Sequence, residues 1–492
     1  MKAAATTVEP AAALPDIEPV PALLARVRAE LGEQFHASRP IRVSRAPGRL
    51  DVMGGIADYT GSLVCEFPLA CAAAVALQER DDRQVQVFSF NLYDEHKPFT
   101  FRIPLDALAS HLPEILRREF EEPGRKWAAY IVGCLYVLHE QEYVDLHNPT
   151  TKGLSVAVRG TVPLGAGLSS SAALEVASMM NLAAHFNLFS NRKSVDGLRL
   201  AELCQRAENV IVGAPCGIMD QVTSCLGEEG SLLRMICQPH DVLPPLRLPE
   251  GVRVLGINSN VKHDIGGPAY VRTRCAAFMG HKIILEKMRE VGAAMGRELA
   301  ADPMRGYLAN LDPDDYKRLF RPACPEHMSG GDFLETYGAT IDPATTVEPD
   351  VTYAIRHALD HHVLEARRVR RFAEFLEQTH DLTGKARGLN LDRCGHLMYA
   401  SHQSYTTDAM LGAEECDLLV KLVRRRERPG LYGARITGGG SGGTVAVLAD
   451  VSESADAAIG EIVAEYEKQT GRQADVLAGS SPGAWHVGTA WV

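Results

Sequence analysis

A Cys-x-x-Cys pair, an apolar run of the ~18 residues a membrane helix needs, and a G-x-x-x-x-G-K-[ST] phosphate loop are all missing from this 492-residue chain. The first absence argues against a zinc site or a redox pair, and eleven scattered cysteines argue against a disulfide framework. The second excludes a membrane span, and the third a P-loop nucleotide hydrolase. Basic charge is also short. The net charge of −11 disfavours nucleic-acid or anionic-membrane partners, which need a basic face. The one dense basic run, Arg367-Arg368-Val-Arg370-Arg371, continues into Phe-Ala-Glu-Phe-Leu-Glu and reads as the solvated face of an amphipathic helix. No basic stretch followed by an apolar core opens the chain, so no secretory signal is expected. Reduced thiols then favour a cytoplasmic protein.

What is present is 46% hydrophobic, enough for real cores. Residues 1 to about 20 are rich in Ala, Pro, Thr and Glu and are expected to be disordered, before a helix over Val20–Phe35. Alternation predicts strands at Ile41–Arg45, Ala70–Leu77, Gln84–Phe90 and Leu154–Val158. Helical spacing marks Trp127–Tyr136, Ala172–Phe186 and Val195–Val212, where Gly213-Ala-Pro215 breaks the chain, and then Gly217–Leu226. A strand at Val252–Ile257 opens a second half with helices near Phe278–Val291, Val363–Gln378 and from Gly395 onward. Two late strands, Ala434–Thr437 and Thr444–Leu448, flank a glycine run. The stretch 302–350 reads as irregular. Strands and helices mix without a regular βαβ rhythm, which predicts an α+β fold.

Three glycine-bearing stretches carry the chemistry. Pro163-Leu-Gly-Ala-Gly-Leu-Ser-Ser-Ser-Ala-Ala-Leu-Glu175 leads two glycines and three serines into a helix. Missing Cβ atoms let the backbone approach a ligand, and the free N–H groups and dipole of a helix start suit a phosphate. The serines are placed to cap that helix. Arg45-Ala-Pro-Gly-Arg-Leu-Asp-Val-Met-Gly-Gly-Ile-Ala-Asp-Tyr59 combines a turn, two arginines and two aspartates. Gly438-Gly-Gly-Ser-Gly-Gly443 literally contains G-x-G-x-x-G, but a β-branched run follows it where a dinucleotide site needs a helix, so a nicotinamide-dependent oxidoreductase is set aside.

In this order the three stretches resemble the motifs of the GHMP small-molecule kinases. Gly217-Ile-Met-Asp-Gln221 narrows the resemblance to the galactokinase branch. Gly48–Tyr59, Gly266-Gly267 before Tyr270, Ala277-Phe-Met-Gly280 and Arg435–Thr444 bring it towards the kinase region of L-arabinokinases. The resemblance runs from about residue 40 to the end. It implies two α+β lobes with the site between them: a tail over 1–37, a ribosomal-protein-like lobe over 38–248 and a ferredoxin-like lobe over 249–492. It implies ATP and Mg²⁺, a small-molecule sugar, and a monomer or homodimer without nucleic-acid or membrane partners.

The resemblance also implies residue roles. Asp220 takes the proton of the sugar's anomeric hydroxyl, and Arg49 keeps it ionised and steadies the phosphoryl charge. Asp58, Gly55, Ile56, Gly217 and Tyr270 face the sugar. Gly165, Ala166, Gly167, Leu168, Ser169, Ser170 and Ser171 hold the ATP phosphates. Gly438, Gly439, Gly440 and Ser441 form the third glycine loop. Ser171 and Glu208 meet the metal. One departure is informative: galactokinases carry Glu-His where this chain has Gly55 and Ile56, and that pair serves the hydroxymethyl end of galactose. Without polar partners there, the pocket suits L-arabinose, which has galactose's ring stereochemistry and no hydroxymethyl group. A galactokinase that replaces the pair by another route, and a catalytically silent sugar and ATP sensor, are the alternatives. His357, Asp360, His361 and His362 have no further evident ligand, so structural roles are favoured there; Trp127, Tyr130 and Cys216 read as core. His402-Gln-Ser-Tyr405 falls in a region able to line the cleft, with no assigned role.

Overall fold

The longest strand, Leu63–Glu79, sets the architecture. Its Ala72-Ala-Ala-Val75 run has small side chains, so layers pack closely on both faces of a fully internal strand. The computed structural model describes residues 14–190, 193–214, 216–262, 267–425 and 430–492. Residues 1–13 of the expected tail, Pro215 of the predicted break and Gly266 of the Gly-Gly pair lie outside them. In the main sheet the order is Thr489–Trp491, Arg42–Met53, Leu63–Glu79, Leu154–Gly160, Gln84–Ser89, Thr100–Pro104. The hairpin Ser231–Ile236 and Asp241–Arg247 joins it at the far end of the long strand. All its pairings are antiparallel except that of Gln84–Ser89 with Leu154–Gly160. The chain's last strand thus returns to the first sheet. A second, antiparallel sheet runs Leu431–Ile436, Thr444–Asp450, Val252–Asn258, Asp475–Leu477. This is the α+β architecture expected.

Helices Lys126–Glu140, Ser170–His185 and Gly197–Ala207 cover one face of the first sheet and form the largest core with it. The predicted helix Val195–Val212 divides in two: an α-helix to Ala207, then a π-turn over Glu208–Val212. On the opposite face lies Val20–Glu30, whose Val20, Leu23, Leu24 and Val27 cover Ala74, Ala76 and Ala157. A short turn over Leu14–Asp16, within the stretch expected to be disordered, buries Leu14.

Two departures from the sequence reading matter for the site. The first strand does not stop at the Pro-Gly turn signal but continues to Met53, with register shifts after Pro47 and after Asp51. Bulges accommodate a proline and re-aim the residues beyond them. Gly48 is required there: a Cβ would stand 2.9 Å from the Leu168 carbonyl. The stretch 302–350, read as irregular, builds short turns and the helix Gly330–Tyr337, and it packs Met304, Tyr316 and Phe333 against Pro268–Ala294 and Ile355–Gln378.

The second sheet and its covering helix meet backbone to backbone at one point, where Gly395 crosses Tyr432 and Gly433. A Cβ on Gly395, in helix Gly384–Thr407, would lie 1.8 Å from the Tyr432 carbonyl, and one on Gly433 would lie 2.3 Å from the Gly395 Cα. Among the described residues no helix is long and apolar enough to cross a membrane. Gly395→Ala should therefore force helix and strand apart and cost about 1–3 kcal/mol, read as a lower urea midpoint with an unchanged m value.

Candidate active site

The Gly/Ser loop follows the strand Leu154–Gly160 and enters helix Ser170–His185 through three left-handed residues: Gly165 (φ +70°), Gly167 (φ +71°) and Ser169 (φ +55°). Only the last is costly, because it carries a side chain. Ser169 sits at the cap position, yet its hydroxyl caps nothing; it donates to Asp220 Oδ2 at 2.5 Å. The expected cap by Ser169 is therefore not made, and among the described residues the start of the helix has no side-chain cap. The strain at Ser169 goes with its contact to the aspartate.

The late glycine run packs against this loop. Thr444 Oγ1 donates to the Ala166 carbonyl at 2.9 Å, and a Cβ on Gly443 would stand 2.5 Å from the same oxygen. Gly438 is also close to the Gly167 carbonyl, which lies 3.0 Å from where its Cβ would be. Two glycine loops more than 270 residues apart in sequence thus touch backbone to backbone, and side chains at these positions would separate them.

Arg49 emerges from the bulged part of the first strand into this junction. Its Nε donates to Asp220 Oδ1 at 2.8 Å, its Nη2 lies 2.8 Å from the same oxygen, and its Nη1 donates to the Gly167 carbonyl at 2.7 Å. Burial alone would lower the guanidinium pKa; Asp220, Glu66 and Asp51 more than reverse that and hold it charged. Arg49 is buried, whereas the Asp220 side chain stays 25% exposed, so the carboxylate is the member of the pair that a ligand can reach. A carboxylate fixed by a guanidinium and a hydroxyl, and open to a cleft, is suited to receive a proton from an incoming hydroxyl.

That cleft is lined by Arg49, Asp220, Gly167, Ser169, Gly438 and Gly439, together with Ile56, Asp58, Cys216, Gly217, Met219 and Tyr270. Asp58 accepts the Tyr59 N–H at 2.6 Å, and burial pushes its pKa up to about 7, partly offset by the Arg274 charge. Its Oδ2 lies 1.8 Å from the place a Cβ on Gly217 would take, so Gly217 leaves Asp58 the space it fills. Tyr270 meets Tyr59 edge-on at 6.1 Å. Arg274, over the Tyr59 ring, is held by Asp342 through two 2.9 Å hydrogen bonds, which gives the stretch 302–350 a place behind the cleft.

Ser171 and Glu208 also come together: burial raises the Glu208 pKa to about 7, with Asp220 adding to the effect and the nearby Ser171 hydroxyl among the groups that hold it down. Its partners Ser171, Cys216 and Gln221 are neutral, and Gln221 Nε2 donates to Glu208 at 2.7 Å and to buried Glu175 at 3.1 Å. A buried carboxylate beside a hydroxyl, with no cationic partner in that set, fits a hard divalent cation such as Mg²⁺. Among the described residues no group of three or more His, Cys, Asp or Glu can hold a metal unaided, so water and phosphate oxygens would complete such a shell. The histidines at 361 and 362 are core residues: His362 lies between the Tyr59 and Thr60 hydroxyls, and burial lowers both pKa values.

Sequence reasoning passed over Glu66 and assigned no role of their own to Arg435 and Tyr405. Asp51 and Glu66 face each other across paired strands, and both are fully buried. Arg435 Nη1 lies 2.8 Å from Asp51 Oδ2, and Arg49 Nε 3.3 Å from Glu66 Oε2. Burial first, and then the Asp51 charge, push the Glu66 pKa well up. The signal available was a charged residue inside an apolar strand, Cys65-Glu-Phe67, which is unstable without a partner.

Family models for GHMP kinases match twice: the N-terminal domain over residues 129–228 and the C-terminal one over 368–468. An L-arabinokinase of Arabidopsis thaliana is 36% identical over 515 residues, which cover 94% of this chain and 48% of that protein, so the chain spans about half its length. A galactokinase of Chloroflexus aggregans is 31% identical over 440 residues, covering 89% of this chain and 92% of its own. Among solved structures, the galactokinase of Lactococcus lactis complexed with galactose shares the fold with a TM-score of 0.70 at 21% identity, over 94% of this chain and 98% of that one.

The raised Asp58 pKa has a measurable sign. From its ordinary 3.8 to about 7, the folded protein binds the proton more tightly than the unfolded chain. The stability this contributes is full below about pH 4 and is lost as pH rises through about 7. Thermal unfolding of the unliganded protein between pH 4 and 8 should give a Tm that falls with pH, and Asp58→Asn should flatten that fall. Parallel profiles for the two proteins would contradict the assignment.

Proposed function

This chain belongs to the GHMP kinase family, and from that premise we propose that it phosphorylates the anomeric hydroxyl of L-arabinose with ATP, releasing β-L-arabinose 1-phosphate and ADP. The observation that carries the proposal is the paired character of the cleft: Asp220, held by Arg49 and Ser169, and the apolar side chain of Ile56 line the same cavity.

In this reading Asp58 and Tyr270 orient the sugar, with Gly217 giving it room. Asp220 takes the proton from O1 as the O1–P bond forms and the bond from the γ-phosphorus to the ADP oxygen breaks. Arg49 serves two charges: it keeps Asp220 as an acceptor and faces the phosphoryl group in transfer. The backbone of Gly165–Ser170 and the uncapped start of helix Ser170–His185 cradle the phosphates, with the late glycine loop against them. Ser171 and Glu208 are the residues that would hold Mg²⁺, whose charge offsets that of the phosphates when bound.

The sugar follows from the wall at Ile56. An apolar surface leaves the hydroxymethyl of a hexose without partners and suits a pentose, while an apolar site discriminates only by roughly 10²-fold. D-Galactose is the second reading, favoured by the retained Asp58, Gly217 and Tyr270 and by the galactokinase relatives. The protein is proposed to act as a cytoplasmic enzyme on a free sugar. An ADP-release assay with MgATP against L-arabinose, D-galactose, D-glucuronate, L-fucose and mevalonate tests this: L-arabinose should have the highest kcat/KM, and a higher value for galactose would reject the specificity. Asp220→Ala should lower kcat by about 10²–10⁴-fold while sugar still binds; unchanged turnover would reject the catalytic role.

A further inference from the structure

Position 55 has no room for a side chain, and Tyr405 is chiefly responsible, with Arg435 Nη2 a further 3.0 Å from where a Cβ would stand. Tyr405, fully buried in helix Gly384–Thr407, reaches under the loop that carries Gly55 and Ile56. A Cβ on Gly55 would stand 1.7 Å from its hydroxyl oxygen and 2.8 Å from Cζ, and Gly55 itself has φ +47°. The tyrosine cannot retreat. His361 stands edge-on to its ring at 5.0 Å and is itself hydrogen-bonded to Ser404 at 2.9 Å. The Arg435 guanidinium lies 5.0 Å over the ring, and the Gly440 backbone closes another side, with Cδ1 3.2 Å from where a Cβ would be. The hydroxyl is fully used: it accepts the Ile56 N–H at 2.9 Å and donates to the Gly438 carbonyl at 2.9 Å.

We propose that Tyr405 is the specificity-determining residue of the sugar pocket: it bars any polar side chain from position 55 and pins Ile56, through its backbone, as the apolar wall that meets the sugar carbon bearing, in a hexose, the exocyclic group. The same hydroxyl ties this wall to the late glycine loop at Gly438, so the wall and the phosphate-facing loop hold one relative position. The occupant favoured is an aldopentose, whose ring ends in an unsubstituted methylene at that point. An apolar wall meets such a methylene without loss, whereas the extra hydroxyl of a hexose gives up its water and gains no partner. Tyr405 does not line the cleft and touches no reacting atom; it acts through Gly55 and Ile56.

The inference rests on the sugar-kinase reading, and its test separates the two. Gly55→Glu, Tyr405→Leu and the double variant Gly55→Glu/Tyr405→Leu are made in the full chain. Tm is measured for each, with kcat/KM for L-arabinose and D-galactose and the Tm shift each sugar induces without ATP. With Tyr405 in place, Gly55→Glu should lower Tm sharply; removing the tyrosine should return much of that loss, although the strain of the positive φ remains in both backgrounds. Tyr405→Leu alone should shrink the arabinose-to-galactose ratio of kcat/KM by about tenfold, and the folded double variant should move it towards galactose by roughly 10²-fold. A Gly55→Glu protein as stable as the wild type, or a double variant with the wild-type ratio, overturns the inference and leaves the kinase reading standing. A wild-type protein inactive on both sugars overturns that reading and this inference with it.

Discussion

One buried carboxylate joins the parts that form the cleft. Asp51 accepts the Gly55 N–H on one oxygen, at 3.1 Å, and the Gly438 N–H and Arg435 on the other, at 3.1 and 2.8 Å, while its own N–H donates to Thr437 Oγ1 at 2.8 Å. The sugar-facing loop of the first sheet and the glycine loop of the second therefore end on the same side chain. Tyr405 ties the same two loops again, through the Ile56 N–H and the Gly438 carbonyl, which makes their separation a property of the core. Breaking a fully buried ion pair by removing one partner leaves a stranded charge, so this junction tolerates little change.

The surroundings of Asp51 are arranged around that cost. Arg435 answers it directly, Arg49 lies between Glu66 and Asp220, and Glu66 is pushed towards its neutral form by burial and by the Asp51 charge. Charge is thus concentrated where it is used: Arg49 is compensated deep in the sheet and presents its Nε and Nη2 to an aspartate at the cleft. The Arg274–Asp342 pair supports Tyr59 and Tyr270 from behind in the same manner, with the acid supplied from a distant turn-rich segment. A salt-linked frame of this kind contributes geometry more than net stability, because desolvation offsets most of the attraction.

Much of the fold was legible because its signals are local. Alternation located the strands from Leu154 and Val252, and helical spacing located the helix after the serines, within a few residues of their ends. Arg45 and Arg49 shared one motif and read alike, yet Arg45 fastens the Glu18 and Ala70 carbonyls and the Ser481 hydroxyl, and only Arg49 reaches the cleft. The side on which each emerges depends on the register shift after Pro47, which a sequence pattern does not report. Ser169 looked like a cap and is one by position, but an aspartate 51 residues away takes its hydroxyl.

By itself the sequence determined the α+β class, the three glycine stretches and the residue types at the cleft, because backbone freedom, alternation and helix starts are written within a few neighbouring residues. Only the tertiary structure decided which of those residues share one cleft. It brought Asp220 to Arg49, Gly438 to Gly167 and Tyr405 to Gly55, pairs separated by 170 to 350 positions. Such contacts follow from how two sheets and their helices close on each other. An absent side chain at Gly55 acquires meaning only once the Tyr405 hydroxyl stands in its place.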